Sequence, residues 1–383
     1  MIYLDYAATT PVRQEAIDEL LSFLTHDGQF ANSSSQHRFG YHAKNSIQIA
    51  TKTLAEILHC SPQEIVFTSG ATESNNLAIK GIAYGFQKKG KHIITCTTEH
   101  KSVLDTCKFL ASQGFDITYL KPTYNGLISL EDLENAITDR TILVSIMHVN
   151  NETGTVHDIK TIAELCNKKK VFFHVDAAQS FGKIAFDLEK IPVDLLSFSG
   201  HKFFAPKGIG GLFVRNYLKS HLTPILHGGG QQFGLRSGTL PTHQIMAMVK
   251  AIEVQNIDSG KQWQHLEKLK LRFIDELSQL DGVIYNSDLQ HSVPYILNVS
   301  FEDVTADSLL IALQNDVAIA SGSACNSGAF EASYVLRAMG IEGNRLYGAV
   351  RISFGYDLSI DTVTYAAQKI CFEVSRLRKL ALE

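Results

Sequence analysis

The chain reads as an α/β protein, with a large domain on a mostly parallel sheet and a smaller α+β domain after it. Three observations predict this. From about residue 12 to 260, short apolar runs alternate with longer amphipathic segments, the pattern that builds parallel sheets. One of the runs, Ile142-Leu143-Val144-Ser145-Ile146-Met147, is almost continuously hydrophobic, as a strand covered on both faces must be. After about residue 255 the alternation gives way to a charged helix, scattered strands and a last helix. The expected division is therefore residues 12–260 for the large domain, with 1–11 and 261–383 forming the small one.

In chain order, the large domain is expected to place strands at Ile65–Thr68, His92–Cys96, Ile117–Leu120, Ile142–Met147, Val171–Val175, Leu195–Ser199 and Gly211–Val214. Each is short and rich in β-branched or aromatic residues, and most are flanked by an amphipathic segment of helical period. No Pro- or Ser-rich linker follows, so a long helix is expected to join the two parts. Trp263, Leu266, Leu269 and Phe273 mark a charged helix. Beyond it, Gly282–Asn286, Tyr295–Phe301 and Val350–Phe354 read as strands, and a helix runs to Leu380. There is no internal repeat or low-complexity tract.

Composition narrows the function classes. A length of 383 residues suggests two or three domains, and 45% hydrophobic against 19% charged residues can bury a sizeable core. A net charge of -4, with Lys168-Lys169-Lys170 as the longest basic run, gives no ground for nucleic acid as a direct ligand. The N-terminus enters strand-like sequence at once, with no signal-peptide pattern. No apolar stretch reaches the roughly 18 residues of a membrane span. The expected location is the cytoplasm. Six cysteines, at 60, 96, 107, 166, 325 and 371, form no C-x-x-C pair, so neither a zinc site nor a thioredoxin-like motif is expected. Scattered thiols fit a reducing compartment, most of them as buried small hydrophobes. No metal is expected.

Several predicted strands end on groups that can do chemistry. Lys202, in Ser199-Gly200-His201-Lys202, sits just past a buried strand, where poor solvation favours a Schiff-base role; a surface-loop lysine is the alternative. Asp176, in His174-Val175-Asp176-Ala177-Ala178-Gln179, ends another apolar strand, where a carboxylate is costly without a partner. The pyridinium nitrogen of pyridoxal phosphate is such a partner, and Gln179 could donate to that ring's phenolic oxygen; a helix-capping Asp is the alternative. Thr68-Ser69-Gly70-Ala71-Thr72-Glu73 is a strand end, a glycine turn and a helix start, which makes an anion site. Ala71 and Thr72 would hold a phosphate there with Ser199 and His201, unless Ser69 or Thr72 merely caps the helix. His100, in Thr98-Glu99-His100, could lie over the ring and move protons, or be a structural histidine. Asn151 follows a further strand and could also reach the ring oxygen.

These motifs, together with Tyr3-Leu4-Asp5-Tyr6-Ala7-Ala8-Thr9-Thr10 and Arg236-Ser237-Gly238-Thr239, resemble the class V aminotransferase family end to end. Within it they look most like the cysteine desulfurases of iron–sulfur cluster assembly and tRNA thiolation. The resemblance implies a fold-type-I pyridoxal-phosphate transferase and a homodimer with active sites at the subunit interface. It implies Lys202 as the lysine that carries the cofactor, Asp176 facing the ring nitrogen and His100 stacked on the ring. Ala71, Thr72, Ser199, His201 and the second subunit's Thr239 would hold the phosphate. Arg351, in Val350-Arg351-Ile352-Ser353-Phe354, matches the arginine that pairs with the substrate carboxylate, a task suited to a guanidinium fork; Asn151 would assist. Ala320-Ser321-Gly322-Ser323-Ala324-Cys325-Asn326-Ser327-Gly328 resembles the mobile cysteine loop of the housekeeping subgroup, spanning about residues 320–332. Its small polar neighbours argue against a core thiol. Cys325 would take sulfur from L-cysteine as a persulfide and pass it to sulfur-acceptor proteins.

Two departures stand out. The family's Gly-Asn-Pro-Ser stretch reads Ala31-Asn32-Ser33-Ser34. The chain ends at Glu383, where many housekeeping members continue into a scaffold-docking tail, so a dedicated tRNA or DNA thiolation pathway competes with cluster assembly. Rival functions are a selenocysteine lyase or transaminase of the same fold, and a non-catalytic sulfur carrier or scaffold. A transaminase needs no loop thiol, and a carrier needs neither Lys202 nor Asp176.

Overall fold

A computed structural model describes residues 1–257, 259–321 and 332–382. The chain begins with a two-residue strand, β1 (Ile2–Tyr3). The seven strands of the large sheet follow: β2 (Ile65–Thr68), β3 (His92–Cys96), β4 (Asp116–Leu120), β5 (Thr141–Met147), β6 (Phe172–Asp176), β7 (Leu195–Ser199) and β8 (Gly210–Val214). They lie in the order β2-β8-β7-β6-β5-β3-β4. All seven fall where the apolar runs predict them, with ends moved by at most one residue.

Six strands point one way. β8 alone runs antiparallel, to β2 on one side and β7 on the other. Its connection from β7, residues 200–209, is shorter than the dozen or more residues a parallel crossover needs. The C-terminal ends of β2, β3, β5, β6 and β7 therefore share one edge, where open α/β sheets bind ligands.

Alternating side chains feed two cores on opposite faces of this sheet. Val144, Ile146, Leu196, Phe198 and Phe213 join one; Leu143, Leu195, Leu212 and Val214 join the other. The first is covered by helices such as Arg38–Leu58 and Ile159–Lys169, the second by Ala71–Phe86 and Lys101–Ser112. Full burial of β5 explains why its sequence lacks polar alternation.

Helices Thr242–Ile257 and Ser259–Leu277 carry the chain to a second sheet. That sheet contains β9 (Val283–Tyr285) and β10 (Ile296–Phe301). β11 (Val317–Ala318) pairs with β1 instead, while β12 (Ala320–Ser321) and β13 (Ala349–Ser353) complete the sheet in the order β12-β13-β10-β9. Its core contains Leu266, Leu269, Phe273 and Leu277 from one helix, and Val363, Ala366, Ala367, Ile370 and Val374 from Ile360–Leu380. Both helices place apolar residues three or four apart on one face. Leu4 and Ala7 belong to this core, so the N-terminal segment packs with residues about 300 positions away. Cys96, Cys107 and Cys166 are buried as expected of small hydrophobes, whereas Cys60 and Cys371 are half-buried. Among the described residues, no helix is long and apolar enough to cross a membrane.

Candidate active site

The shared strand edge opens into a cavity of about 470 Å³. Ala71, Thr72, His100, Asn151 and Asp176 line it, and so do Gln179, Ser199, His201, Lys202 and Arg351. Residues spread over 280 positions thus meet because the parallel strands end together. Thr239 is exposed and is not among the lining residues. Cys325 lies outside the described residues.

Asp176 is the last residue of β6 and only 4% exposed. Its Oδ1 accepts from the Ala178 amide at 2.9 Å, and its Oδ2 accepts from Asn75 Nδ2 at 2.7 Å. The same Asn75 nitrogen donates to Ser102 Oγ at 2.8 Å, and Ser102 Oγ lies 2.8 Å from His100 Nδ1. The Ser102 amide also donates to His100 Nδ1, which makes that nitrogen an acceptor and leaves the ring proton on Nε2. His100 thus caps the helix Lys101–Ser112 and lines the cavity at once. Burial lowers its pKa and Lys202 adds to this, against the opposing pull of Asp176. Beneath it, burial holds the Glu99 carboxyl well above the usual range.

The β2-to-helix turn has no side-chain cap. Gly70 occupies the cap position with φ 148°, so neither Ser69 nor Thr72 serves as the capping residue weighed from sequence. The first amides of the helix remain open toward the cavity, as an anion site requires. A Cβ on Gly70 would lie 3.1 Å from Ser199 Oγ, a tight contact at a backbone angle that strains any other residue. Glu73, one turn in, takes Arg236 Nε at 2.8 Å. Burial alone would raise the Glu73 carboxyl; the hydrogen bonds from Arg236 and Ser69 outweigh it and hold it low. The Arg236–Thr239 motif is thereby fastened beside the anion turn.

Lys202 closes the 3-10 turn after β7. Its Nζ donates to the carbonyls of Ala7 at 2.6 Å and Ala8 at 2.8 Å. Gln179 Nε2 donates to the Ala7 carbonyl as well, at 2.8 Å, so it faces the cavity with one donor already engaged. His201 Nδ1 lies 3.2 Å from Thr9 Oγ1. Burial and the neighbouring lysines, Lys202 first, depress the His201 pKa to about 4, which keeps its ring neutral. Arg351 spans the Asn151 carbonyl at 2.9 Å and the Asp5 carboxylate at 2.7 Å.

The residues fit pyridoxal phosphate. The open helix start with Ser199 and His201 suits its phosphate, the buried Asp176 carboxylate suits its ring nitrogen, and Lys202 suits its aldehyde. Two buried side-chain oxygens that line the cavity have no partner among the described residues: Asn151 Oδ1 and Gln179 Oε1. Buried polar atoms are rarely left so, and a polar ligand explains them. Reading the sequence alone missed Asn75, Ser102, Asp5 and the Glu73–Arg236 pair. Each stands inside or beside a motif already singled out, but only the fold shows which neighbour it serves.

Comparison with known proteins agrees with this geometry. The family model for Aminotransferase class-V matches residues 2–365. A cysteine desulfurase IscS of Vibrio vulnificus is 49% identical over 99% of this chain and 94% of its own length. One from Buchnera aphidicola is 50% identical with the same coverage. Among solved structures, a NifS-like protein aligns with TM-score 0.92 and 36% identity over 98% of this chain and 99% of its own. SspA in complex with cysteine aligns with TM-score 0.83 and 40% identity over 92% of this chain and 99% of its own. With the family model spanning residues 2–365 and relatives matched over 99% of its length, the chain belongs to the class-V aminotransferase family.

Proposed function

We propose that this protein is a cysteine desulfurase, which uses pyridoxal 5'-phosphate to remove sulfur from L-cysteine and leave L-alanine. The observation that carries the reading is the meeting of Lys202, Asp176, the Gly70 turn and Arg351 in one cavity. The cysteine desulfurases among its relatives, and the cysteine bound by SspA, support the substrate.

When bound, pyridoxal phosphate supplies an electron sink next to the amino-acid α-carbon. Asp176, anchored by Asn75 and the Ala178 amide, would hold the proton of its ring nitrogen. Ala71, Thr72, Ser199 and His201 would hold its phosphate, and Gln179 and Asn151 its phenolic oxygen. Lys202 Nζ would carry the cofactor and, once displaced by the substrate amine, accept the α-proton. Arg351 would orient the substrate carboxylate. His100, neutral and stacked over the ring, would take or return a proton at Nε2. The Cys325 thiolate would attack the substrate sulfur. An S–S bond forms as the C–S bond breaks, the electron pair leaves on the carbon side, and protonation there gives alanine. Exposed Thr239, held next to the anion turn by the Arg236–Glu73 pair, suits a homodimer in which it reaches the second subunit's phosphate. The persulfide would then pass to a sulfur-acceptor protein.

Two variants test this. Lys202→Ala should lose the borohydride-reducible link to the cofactor; a variant that keeps it sinks the lysine assignment. Cys325→Ser should bind cysteine and shift the cofactor absorption, yet form alanine slower by roughly a hundredfold or more, because serine is hardly ionised. Alanine at the wild-type rate would overturn the persulfide role.

A further inference from the structure

We infer that Asp5 is a positioning residue that sets how tightly the cavity holds a carboxylate, by acting as a fixed counter-ion to Arg351. The inference rests on the reading of Arg351 as the carboxylate-binding residue. Arg351 is buried, with its side chain 6% exposed, and the Asp5 side chain is 21% exposed. Both line the cavity. Asp5 Oδ1 accepts from Arg351 Nη2 at 2.7 Å and the Asn151 carbonyl accepts from Nη1 at 2.9 Å. Arg351 Nε is buried without a hydrogen-bond partner among the described residues. A guanidinium has five N–H donors, so the arginine keeps donors for a further anion while a carboxylate is already in place.

Asp5 is not poised to swing aside. Its backbone bridges to Ser353, two residues beyond Arg351 on β13 and on the same side of that strand. The Ser353 amide donates to the Leu4 carbonyl at 2.8 Å, and Ser353 Oγ accepts from the Ala7 amide at 2.8 Å. Tyr3 donates its hydroxyl to the Asp5 carbonyl at 2.9 Å. The segment on both sides of Asp5 is thus tied to the strand that carries Arg351. Two effects follow. The pair spares the protein an uncompensated buried cation, which is costly. The same fixed negative charge repels an incoming carboxylate and offsets part of the arginine's attraction. Substrate and product carry the same carboxylate, so this tempering also favours release of product.

The test compares wild type with Asp5→Asn, which keeps an oxygen acceptor for Nη2 and removes the charge. The probe is 3-mercaptopropionate, which has no amine, as an inhibitor against L-cysteine and by calorimetry on the holoenzyme. Asp5→Asn should tighten 3-mercaptopropionate and lower KM for L-cysteine, each on the order of fivefold, with a smaller change in kcat. Cysteamine, which lacks the carboxylate, should bind both proteins equally by cofactor absorption. Asp5→Ser, smaller and also uncharged, is the second variant should the first fold poorly, and should shift in the same direction. Unchanged or weaker 3-mercaptopropionate binding in the folded variants, or an equal shift for cysteamine, overturns the inference. Arg351→Gln separates the two readings. If it leaves 3-mercaptopropionate binding unaltered, the role of Arg351 itself is wrong. If it weakens binding while Asp5→Asn shifts nothing, only the role of Asp5 fails.

Discussion

At the scale of single residues, the site depends on side chains that support the ones doing chemistry. Asp176 is useful only as a carboxylate held in one place at low exposure. Asn75 provides that hold, with one nitrogen shared between Asp176 Oδ2 and Ser102 Oγ. Through Ser102 Oγ it also connects to His100 Nδ1, 2.8 Å away. Supporting partners of this kind often matter by tenfold or more. Asn75→Ala is therefore expected to lower kcat roughly tenfold and to shift the absorption maximum of the bound cofactor. Steady-state kinetics and a visible spectrum check both. An unshifted spectrum at wild-type kcat would remove Asn75 from the relay. Asp176 and His100 were legible in the sequence because each follows a strand. Asn75 was not, because a polar residue in a helix looks the same whether it faces water or a buried aspartate.

At the scale of elements, the β2 turn and its helix form the anion site, and packing decides their exact fit. Helix Ala71–Phe86 turns Leu77, Ala78, Ile79, Ile82 and Ala83 into the core. Ser74 Oγ donates to the Gly211 carbonyl at 2.9 Å, which fastens its first turn to β8. Gly210, on β8, comes so near that a Cβ there would meet Gly70 Cα at 2.7 Å. Gly70, at φ 148° and ψ -178°, sits in a region essentially reserved for glycine, where another residue costs ~1–3 kcal/mol. Gly70→Ala is accordingly expected to weaken retention of the cofactor roughly tenfold, measured as cofactor lost on dialysis against phosphate buffer. Full retention would show that the turn's conformation does not set affinity. The strand, the turn and the helix were legible from the sequence. The missing cap and the approach of β8 were not, since β8 is over 130 positions away in the chain.

At the scale of the whole molecule, several buried histidines make stability depend on pH. Burial depresses His148 and His157 to about 4 and His174 to about 3, from an ordinary 6.5. His174 bridges Ser145 and Ser197 across three strands of the large sheet. Between pH 6.5 and 4 the unfolded chain binds protons that the folded chain refuses, so stability rises with pH there. The contribution is present above pH 6.5 and is lost as pH falls toward 4. Glu152 acts in the opposite sense. Burial pushes its carboxyl up to about 7, so its contribution is present at low pH and is lost as pH rises through 7. Glu99 and Asp194, also raised by burial, act with Glu152, while His100 and His201, also depressed by burial, act with the other histidines, so the depressed histidines outnumber the raised carboxyls. The melting temperature should therefore fall on going from pH 7 to pH 5, and fall less steeply in His174→Gln. A flat profile from pH 7 to 5 in wild type would show that these rings are protonated in the fold.

By itself the sequence determined the alternation of strand and helix, the positions of all seven strands of the large sheet, and the motifs that carry Lys202, Asp176 and His100, while Arg351 was marked by the family resemblance. These are local signals: apolar periodicity, a glycine at a strand end, a polar residue where a buried run stops. The tertiary structure alone decided that β8 runs backward, that β1 pairs with β11, and that the Ala7 and Ala8 carbonyls cover Lys202. It alone decided that Asp5 neutralises Arg351, across 346 positions of chain. No local pattern encodes such a pair. It exists because the N-terminal segment, too short to bury itself, completes the core beside β13 and carries one carboxylate into reach of one guanidinium.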